Sequence, residues 1–201
     1  MLRRGKDRAA VLVNFDVDRS AVEAARRDPR AFEALYRKYV AQMYSFALYE
    51  LRDTHDAEDL TAQVFLRALA GLPSFREQDE PPGSSFRVWL FQIARNALSN
   101  ERRRSRRHPD APLELALEVP AADDVQAAVV ERDQLARAWR SIEKLPTERR
   151  QALLLRFVEE MSTREIGEVL GRSEGATRVL IHRALRSVAN QLARGSDAAR
   201  H

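Results

Sequence analysis

Apolar residues recur three and four positions apart along most of this chain, and no stretch alternates apolar and polar residues for long enough to predict a strand. The pattern therefore predicts an all-α fold. Three apolar faces, each predicting one helix, stand in the first half: Phe32, Leu35, Tyr36, Tyr39, Val40, Met43 and Phe46; then Leu60, Val64, Phe65, Ala68 and Leu69; then Phe86, Trp89, Leu90, Ile93 and Ala97.

Punctuating residues delimit these three helices. The first is expected to begin after Pro29, and the second has acidic side chains within residues 56–59, in the first turn, where the helix dipole favours negative charge. Residues 71–85 are rich in glycine, proline and serine, which predicts a loop. Ser85 at its end is expected to cap the third helix.

The second half of the chain also has helical apolar spacing. One stripe ends at Pro146, because proline interrupts a helix. The next helix is expected to start at about Thr147. The stripe consists of Leu135, Ala138, Trp139, Ile142 and Leu145, and the helix after it is expected to bury Leu153, Leu154, Phe157 and Val158.

The segment that follows carries the most specific local signal. Ser162 and Glu165 have the spacing of a capping box, and Gly171 suits the left-handed conformation that ends a helix. Ser173 then starts a second helix, whose expected inward positions are Thr177, Ile181, Leu185 and Val188. Two short helices joined by a glycine turn predict a helix-turn-helix, whose second helix enters the major groove of DNA. An ordinary helical hairpin with solvated arginines is the alternative.

A composition shift separates the two patterned halves. Residues 108–124 hold three prolines and several acids, and proline disfavours helix at and just before its own position. This segment therefore predicts an acidic linker between two small helical domains. The expected organisation is an unassigned N-terminal extension (1–28), a first domain (29–107), the linker (108–124), a second domain (125–194) ending in the helix-turn-helix, and a tail (195–201).

The composition excludes several classes of site. The 201 residues include 34 basic and 30 acidic side chains, a net charge of +4, and no cysteine, which rules out a disulfide framework, a cysteine-ligated metal and a thiol nucleophile.

Apolar runs are too short to cross a bilayer, and Asp16 and Asp18 interrupt the one signal-like segment, so we expect a cytoplasmic protein without membrane insertion. Without a glycine-rich phosphate loop, a paired nucleophile and base, or spaced metal ligands, we expect no enzyme activity, metal or cofactor.

Charge is unevenly distributed along the chain. Arg95 and the five arginines within residues 102–107 are opposed in that stretch only by Glu101. Such a run indicates either a solvated helix end or a contact with a polyanion such as nucleic acid. Residues 108–133 hold one basic and seven acidic side chains, so we expect this segment to avoid DNA and to suit either a basic channel or a solubilising tether.

Four segments, taken in order, carry a family resemblance. They are FEALYRKYV from Phe32, DAEDLTAQVFLRAL from Asp56, FRVWLFQIARNALSNERRR from Phe86 and LPTERRQALLLRFVEEMSTREIGEVLGRSEGATRVLIHRA from Leu145. The chain resembles a bacterial RNA polymerase sigma factor of the compact, extracytoplasmic-function type. The resemblance implies a non-catalytic subunit that binds the clamp coiled-coil and the flap of core RNA polymerase and selects promoter DNA. An anti-sigma protein is a common further partner in that family.

The resemblance also implies roles for particular residues. The contact with the polymerase clamp would use Asp59, Leu60, Gln63 and Phe65. Recognition and melting of the minus-ten promoter element would use Phe75, Arg87, Trp89, Arg95, Asn96, Asn100, Arg102 and Arg103. The helix-turn-helix would read the minus-thirty-five element through Arg172, Ser173, Thr177, Arg178, His182 and Arg183.

Several positions depart from the family pattern. Ala62 and Gln63 stand where glutamine and glutamate are common, which removes a polar contact and a charge from the clamp-facing helix. Asn100 stands where aspartate is common. Val179 and Leu180 replace the usual serine and arginine, and apolar groups in the groove can meet thymine methyl groups but cannot bond to guanine edges.

Alternatives remain for single residues and for the whole chain. Phe65 and Trp89 have core neighbours at helical spacing, so each also fits a packing role. His182 fits packing or a phosphate contact better than metal binding. The chain could instead be a stand-alone helix-turn-helix regulator that binds duplex DNA as a dimer, or an interaction module whose arginine faces bind an acidic partner. The first domain discriminates, because a repressor needs no clamp-binding helix followed by a melting helix.

Overall fold

The computed structural model describes residues 16–77, 83–105 and 136–198, and within these ranges the chain forms helices and turns without a strand. The predicted all-α fold is confirmed. The predicted linker (108–124) and the start of the second domain lie outside the described ranges. The helices are α1 (Arg19–Arg27), α2 (Phe32–Leu51), α3 (Thr54–Gly71), α4 (Ser85–Ser105), α5 (described over 136–143), α6 (Thr147–Phe157), α7 (Thr163–Leu170) and α8 (Glu174–Ala198).

Helices α2, α3 and α4 pack around an aromatic core. Phe86 at the start of α4 meets Phe32 of α2 edge to face, with ring centroids 6.3 Å apart, and Phe46 meets Phe91 in the same way at 5.3 Å. Each such ring pair contributes about 1 kcal/mol beyond the apolar area that it buries. Phe46 and Phe86 are fully buried, as their helical spacing predicts, and so is Phe91, which was not among the predicted inward positions.

Helix α1 packs on this first domain. Its Val22 and Ala25 are buried in the same core. Its Arg26 donates to the carbonyl of Phe75 at 2.5 Å, beyond the short 3₁₀ turn that follows α3. Residues 16–27, part of the extension that sequence analysis left unassigned, therefore form a packed element of the first domain.

The start of α4 differs from the prediction by one residue. The hydroxyl oxygen of Ser84 accepts from the N–H of Arg87 at 2.9 Å, which is the bond that an N-cap side chain makes. The expectation that Ser85 caps this helix is wrong. Ser85 is instead the first helical residue, and its N–H donates to the Asp16 carboxylate at 2.8 Å. Two adjacent serines made the sequence signal ambiguous by one position.

The second domain contains the predicted helix-turn-helix. The Ser162 and Glu165 side chains form a reciprocal capping box at the start of α7, and Gly171 ends that helix in the left-handed conformation with φ of 69°. Ser173 starts α8 by accepting from the N–H of Ala176 at 3.3 Å. A Cβ at Gly167 would lie 2.8 Å from a carbonyl oxygen in the turn, so the two helices pack too closely there for a side chain.

Burial differs from the prediction at a few apolar positions. Phe157 is 61% exposed, because α6 packs through residues 151–155 and Phe157 lies at its end. Leu185 of α8 is also exposed, although Ala184 beside it is fully buried. Tyr36 is partly exposed and covers the ring of Phe65, with centroids 4.8 Å apart.

The two domains pack directly against each other. Most of their buried apolar residues form one continuous cluster that includes Phe91 and Ala94 of α4 together with Ile166 and Val169 of α7. Polar contacts cross the same boundary at its edge. The guanidinium of Arg150 on α6 binds both carboxylate oxygens of Glu50 on α2, each at 3.2 Å, and the Glu50 side chain is completely buried.

Candidate nucleic-acid and partner interfaces

Helix α3 exposes a narrow stripe on the side away from the core. Asp59 and Gln63 are exposed on this stripe, and Ala62 lies between them. Leu66, one turn further on, is 67% exposed. Sequence reasoning missed Leu66, although its position three residues after Gln63 continues the same helical face. An exposed leucine between polar side chains suits contact with a partner protein.

The other two clamp-facing candidates lie inside the first domain. Leu60 and Phe65 are buried, and Phe65 packs edge to face on Phe32 with ring centroids 6.4 Å apart. The packing alternative for Phe65 therefore matches where the structure places its ring. These two residues support the α3 stripe from behind, while Asp59 and Gln63 are on the surface.

A hollow of about 240 Å³ lies at the start of α4. Phe75 and Trp89 line it, with ring centroids 4.8 Å apart. Phe75 is buried and Trp89 is partly buried, so Trp89 both packs on the core and reaches the surface. Arg76 and Ser85 add polar groups to the lining. An aromatic wall beside polar groups is the arrangement on which an unstacked base can lie.

The middle of α4 faces the second domain. Gln92 donates to the carbonyl of Glu168 at 2.9 Å, and Arg95 lies 3.5 Å from the carbonyl of Val169. Arg87, nearer the start of α4, donates to the carbonyl of Glu159 and to Gln42 of α2. Two of the predicted DNA-contacting arginines of α4, Arg87 and Arg95, are therefore bound to main-chain oxygens of α7 and of the loop before it.

The remaining α4 candidates lie toward its C-terminus. Asn96 and Asn100 are exposed on the helix surface. Arg102 and Arg103 belong to the last turn of the helix, and their side chains lie outside the described part of the structure. Arg106 and Arg107 of the predicted arginine cluster follow beyond the described ranges. The structure thus presents the two asparagines at the surface beyond the region that α7 covers.

Glu159 is a buried acid at the boundary between the domains. Burial raises its pKa to about 7, and the nearby Arg87 guanidinium opposes that rise. Its Oε1 has no hydrogen-bond partner among the described residues. Burial, and to a smaller extent the Glu159 charge, raises the pKa of the nearby Tyr49 of α2. A carboxyl group in this setting changes its charge close to neutral pH.

Helix α8 presents a basic face to solvent. The Arg178 side chain is 72% exposed and pairs with Glu174 four residues earlier at 2.8 Å. Val179 is 49% exposed, and His182 and Arg183 are exposed further along the helix. Positions four apart share one helical face, so these side chains point in similar directions.

Three of the predicted contacts on this helix-turn-helix have local partners. Thr177 is fully buried, and its hydroxyl donates to the carbonyl of Ser173 at 2.9 Å, so it packs α8 against α7. Ser173 is the N-cap of α8. Arg172, in the turn, binds both carboxylate oxygens of Glu148 at 2.6 and 2.7 Å. That hydrogen bonding is the main cause of the lowered pKa of Glu148.

A groove of about 560 Å³ runs between the start of α6 and α8. Arg172, Val179 and Arg183 are among the side chains that line it. The predicted minus-thirty-five residues Arg172, Arg178, His182 and Arg183 thus lie along one exposed basic surface, separate from the α4 surface. Among the described residues, no group of three histidine, aspartate or glutamate side chains is arranged to hold a metal ion. Within the same ranges, no helix combines the length and apolar character that a membrane crossing needs.

Family comparison agrees with this division into two helical units. Residues 35–108 match the family described as Sigma-70 region 2, and residues 135–194 match Sigma-70, region 4. Both matched ranges contain the helices that carry the exposed surfaces. The first match covers α3 and α4, and the second covers the helix-turn-helix.

Individual relatives extend the likeness over most of the chain. The chain is 32% identical over 171 residues to the ECF RNA polymerase sigma factor BldN of Streptomyces coelicolor, covering 81% of this chain and 60% of that protein's length. It is 33% identical over 135 residues to the ECF RNA polymerase sigma factor ShbA of Streptomyces griseus, covering 65% of this chain and 69% of that protein. Among solved structures it is similar to CnrH in complex with the cytosolic domain of CnrY, with a TM-score of 0.63 and 26% identity over 88% of this chain and 97% of that chain.

Proposed function

Because this chain belongs to the extracytoplasmic-function family of RNA polymerase sigma factors, we propose that it binds core RNA polymerase and directs it to promoters that carry its own minus-ten and minus-thirty-five elements. The polymerase would supply the catalysis, and this chain would act in the bacterial cytoplasm as its non-catalytic specificity subunit. The observation that carries the proposal is the pairing, in one chain, of an exposed basic α8 with an aromatic-lined hollow at the start of α4.

The α3 stripe is the surface proposed for the clamp coiled-coil. Asp59 and Gln63 would make its polar contacts, and Leu66 would add apolar area at its end. Leu60 and Phe65 would hold the helix in place from the core side. The second domain would bind the polymerase flap, so that the polymerase itself sets the distance between the two promoter-reading surfaces.

Melting of the minus-ten element is proposed for α4. Unstacking a base costs a few kcal/mol, which contacts in a polar and aromatic site must offset. The hollow beside Phe75 and Trp89 offers such a site, and the exposed Asn96 and Asn100 can bond to bases or backbone further along. The arginines of the last turn would contact phosphates, each adding to the salt sensitivity of binding.

Reading of the minus-thirty-five element is proposed for α8. Arg178 is the leading candidate for a bidentate contact with guanine, and Arg183 and His182 suit phosphate oxygens. Val179 would meet a thymine methyl group, because its exposed side chain offers no hydrogen bond. An inhibitory protein is a further proposed partner, since the similar CnrH was solved in complex with CnrY.

Reconstitution with purified core polymerase tests this proposal. We expect the chain to bind core enzyme and to support initiation on a subset of random promoter templates, which sequencing of the transcripts would identify. Asp59→Arg should weaken core binding at least tenfold, because it reverses charge within the α3 stripe. Glu58→Arg is the matched control, since it makes the same change about 100° around the helix.

Three outcomes would contradict the proposal. A folded chain that forms no complex with core polymerase would remove its basis. Tight binding of palindromic duplex DNA by the isolated chain would favour the stand-alone regulator instead. Equal weakening by the substitutions at Asp59 and Glu58 would show that the α3 stripe is not the specific contact surface.

A further inference from the structure

Two carboxylates ahead of α1 reach across the first domain to the start of α4. Asp16 and Asp18 are 5% and 2% exposed, although both belong to the extension that precedes the matched family regions. Buried carboxylates are costly unless hydrogen-bonded, so their partners indicate what holds them in place. Those partners lie on α2 and on the first turn of α4.

Asp16 binds the first helical N–H of α4. Its Oδ2 accepts from the N–H of Ser85 at 2.8 Å, and its Oδ1 accepts from the N–H of Asp18 at 3.0 Å. The first N–H groups of a helix have no partner within the helix, and a negative charge beside them is favoured by the helix dipole. Asp16 therefore acts as a capping group supplied by a distant part of the chain.

Asp18 completes the cap through Ser84. It stands at the N-cap position of α1, yet its side chain does not cap α1. It accepts instead from Lys38 at 2.5 Å, from the hydroxyl of Tyr39 and from the hydroxyl of Ser84. Ser84 in turn accepts from the N–H of Arg87 at 2.9 Å. The pKa of Tyr39 is raised mainly by burial and secondly by the bond to Asp18, so its hydroxyl stays protonated and donates to Asp18.

The same N-terminal segment also bonds to the wall of the hollow that faces the start of α4, formed by the residues just after α3. Arg26 donates to the carbonyl of Phe75 at 2.5 Å, and Arg19 binds Glu77 at 2.6 Å. Phe75 and Ser85 both line the hollow. Residues 16–27 thus hydrogen-bond both to the residues just after α3 and to the first residue of α4. These two segments form the walls of the hollow on either side of Trp89.

We propose that Asp16 and Asp18 are positioning residues for promoter opening, because together they fix the first turn of α4 and the wall of the hollow that receives the unstacked base. This inference rests on the proposed minus-ten role of α4. It assigns to the N-terminal segment a function in DNA melting, exerted through Ser84, Ser85 and the hollow rather than by contact with DNA.

The test compares Asp16→Ala, Asp16→Asn and Asp18→Asn in reconstituted holoenzyme on a promoter selected with the wild-type chain. Opening is measured by permanganate reactivity of unpaired thymines at saturating holoenzyme, and core affinity and the unfolding midpoint are measured in parallel. We expect Asp16→Ala to lower opening about tenfold, the scale of losing one helix cap. Asp16→Asn keeps an acceptor for Ser85 and should restore most of the opening. Asp18→Asn, which turns one acceptor into a donor, should lower opening less than Asp16→Ala does.

Asp28→Ala is the matched control. Asp28 also lies ahead of the family-matched region and also caps a helical turn, by accepting from the N–H of Arg30 at 2.9 Å, but it does not touch α4. It should leave opening unchanged. A merely structural role for Asp16 would lower the unfolding midpoint and core affinity together with opening, and that result would overturn the inference.

The remaining outcomes distinguish failure of this inference from failure of the proposed function. If the wild-type chain forms no holoenzyme, the proposed function and this inference both fall. If wild-type holoenzyme opens the promoter and neither Asp16→Ala nor Asp18→Asn lowers opening relative to core affinity, only the positioning role is overturned.

Discussion

The two surfaces proposed to bind DNA differ in what covers them. On α4, Arg87 and Arg95 face the second domain, where they meet main-chain carbonyl oxygens. On α8, Arg178 pairs only locally with Glu174, and its side chain is 72% exposed. The minus-thirty-five surface is therefore open in the isolated chain, whereas the middle of the minus-ten surface is covered by the chain itself.

The oxygens that cover α4 resemble the groups that it would meet on DNA. The last carbonyls of α7 lie at the negative end of its dipole, and that of Glu168 also accepts from the N–H of Gly171 at 3.4 Å. Gln92 and Arg95 lie against two of them, those of Glu168 and Val169. If α4 contacts DNA as proposed, the N–H groups that bind these carbonyls would have to leave them first, so opening of the minus-ten element would require the domains to separate. Binding of each domain to its own site on the polymerase would supply that separation.

The largest expected effect comes from breaking the buried ion pair between the domains. Arg150→Met removes the guanidinium that binds the buried Glu50 carboxylate, so the unfolding free energy should fall by about 3 kcal/mol, as for other buried pairs that lose one partner. The domains should also separate more readily. Urea unfolding measures the first effect. Energy transfer between dyes on Ala70→Cys and Asn190→Cys measures the second, because the chain has no cysteine of its own.

Arg149→Met is the control for that substitution. Arg149 is adjacent and partly buried, and it binds Ser187 at 3.4 Å within the second domain. It should leave the energy transfer unchanged. If both substitutions change stability and transfer equally, the contact between Arg150 and Glu50 does not hold the domains together, and the contrast between a covered and an open surface loses its main support.

The sequence was sufficient where a bond joins residues close along the chain. The capping box of Ser162 and Glu165 and the turn at Gly171 were predicted because each depends on residues within a few positions of one another. Helices α2, α3 and α4 of the first domain followed in the same way from apolar spacing, whereas α1 did not. The exposed basic face of α8 could be expected once the side with the buried Thr177 and the partly buried Ile181 was assigned inward.

The contacts that cover or position α4 could not be predicted, because they join distant residues. Asp16 and Ser85 are 69 positions apart, and Glu50 and Arg150 are 100 apart. Periodicity gives the inward face of a helix but not which other helix covers its outward side. The family resemblance therefore implied DNA contacts for Arg87 and Arg95 without indicating that α7 and the loop before it occupy the same side of α4.

An intermediate effect is expected on the open surface. Arg178→Ala should reduce the preference of the holoenzyme for its minus-thirty-five sequence over a scrambled duplex about tenfold, the value of one good bidentate contact with a base. Core affinity should change little, because the α3 stripe keeps its proposed contact with the clamp. Competition between the two duplexes measures this preference. The control is Arg194→Ala, because Arg194 is exposed about four turns further along α8. Equal losses of preference from the two substitutions would mean that Arg178 contributes general positive charge rather than base reading.

The smallest expected effect is a pH dependence of the covered surface. When the two domains pack together, the closed arrangement, burial raises the pKa of Glu159 from its usual 4.5 to about 7. When they separate, Glu159 is exposed, so the closed chain binds a proton that the open chain releases. This stabilisation is complete below about pH 4.5 and is lost as the pH rises through 7, a change of about 1 kcal/mol between pH 6 and pH 8. Energy transfer between the domains should fall across that range. Glu159→Gln stays uncharged beside Arg87 and Tyr49 and should remove the step, whereas an identical step in this variant would assign the titration to another group.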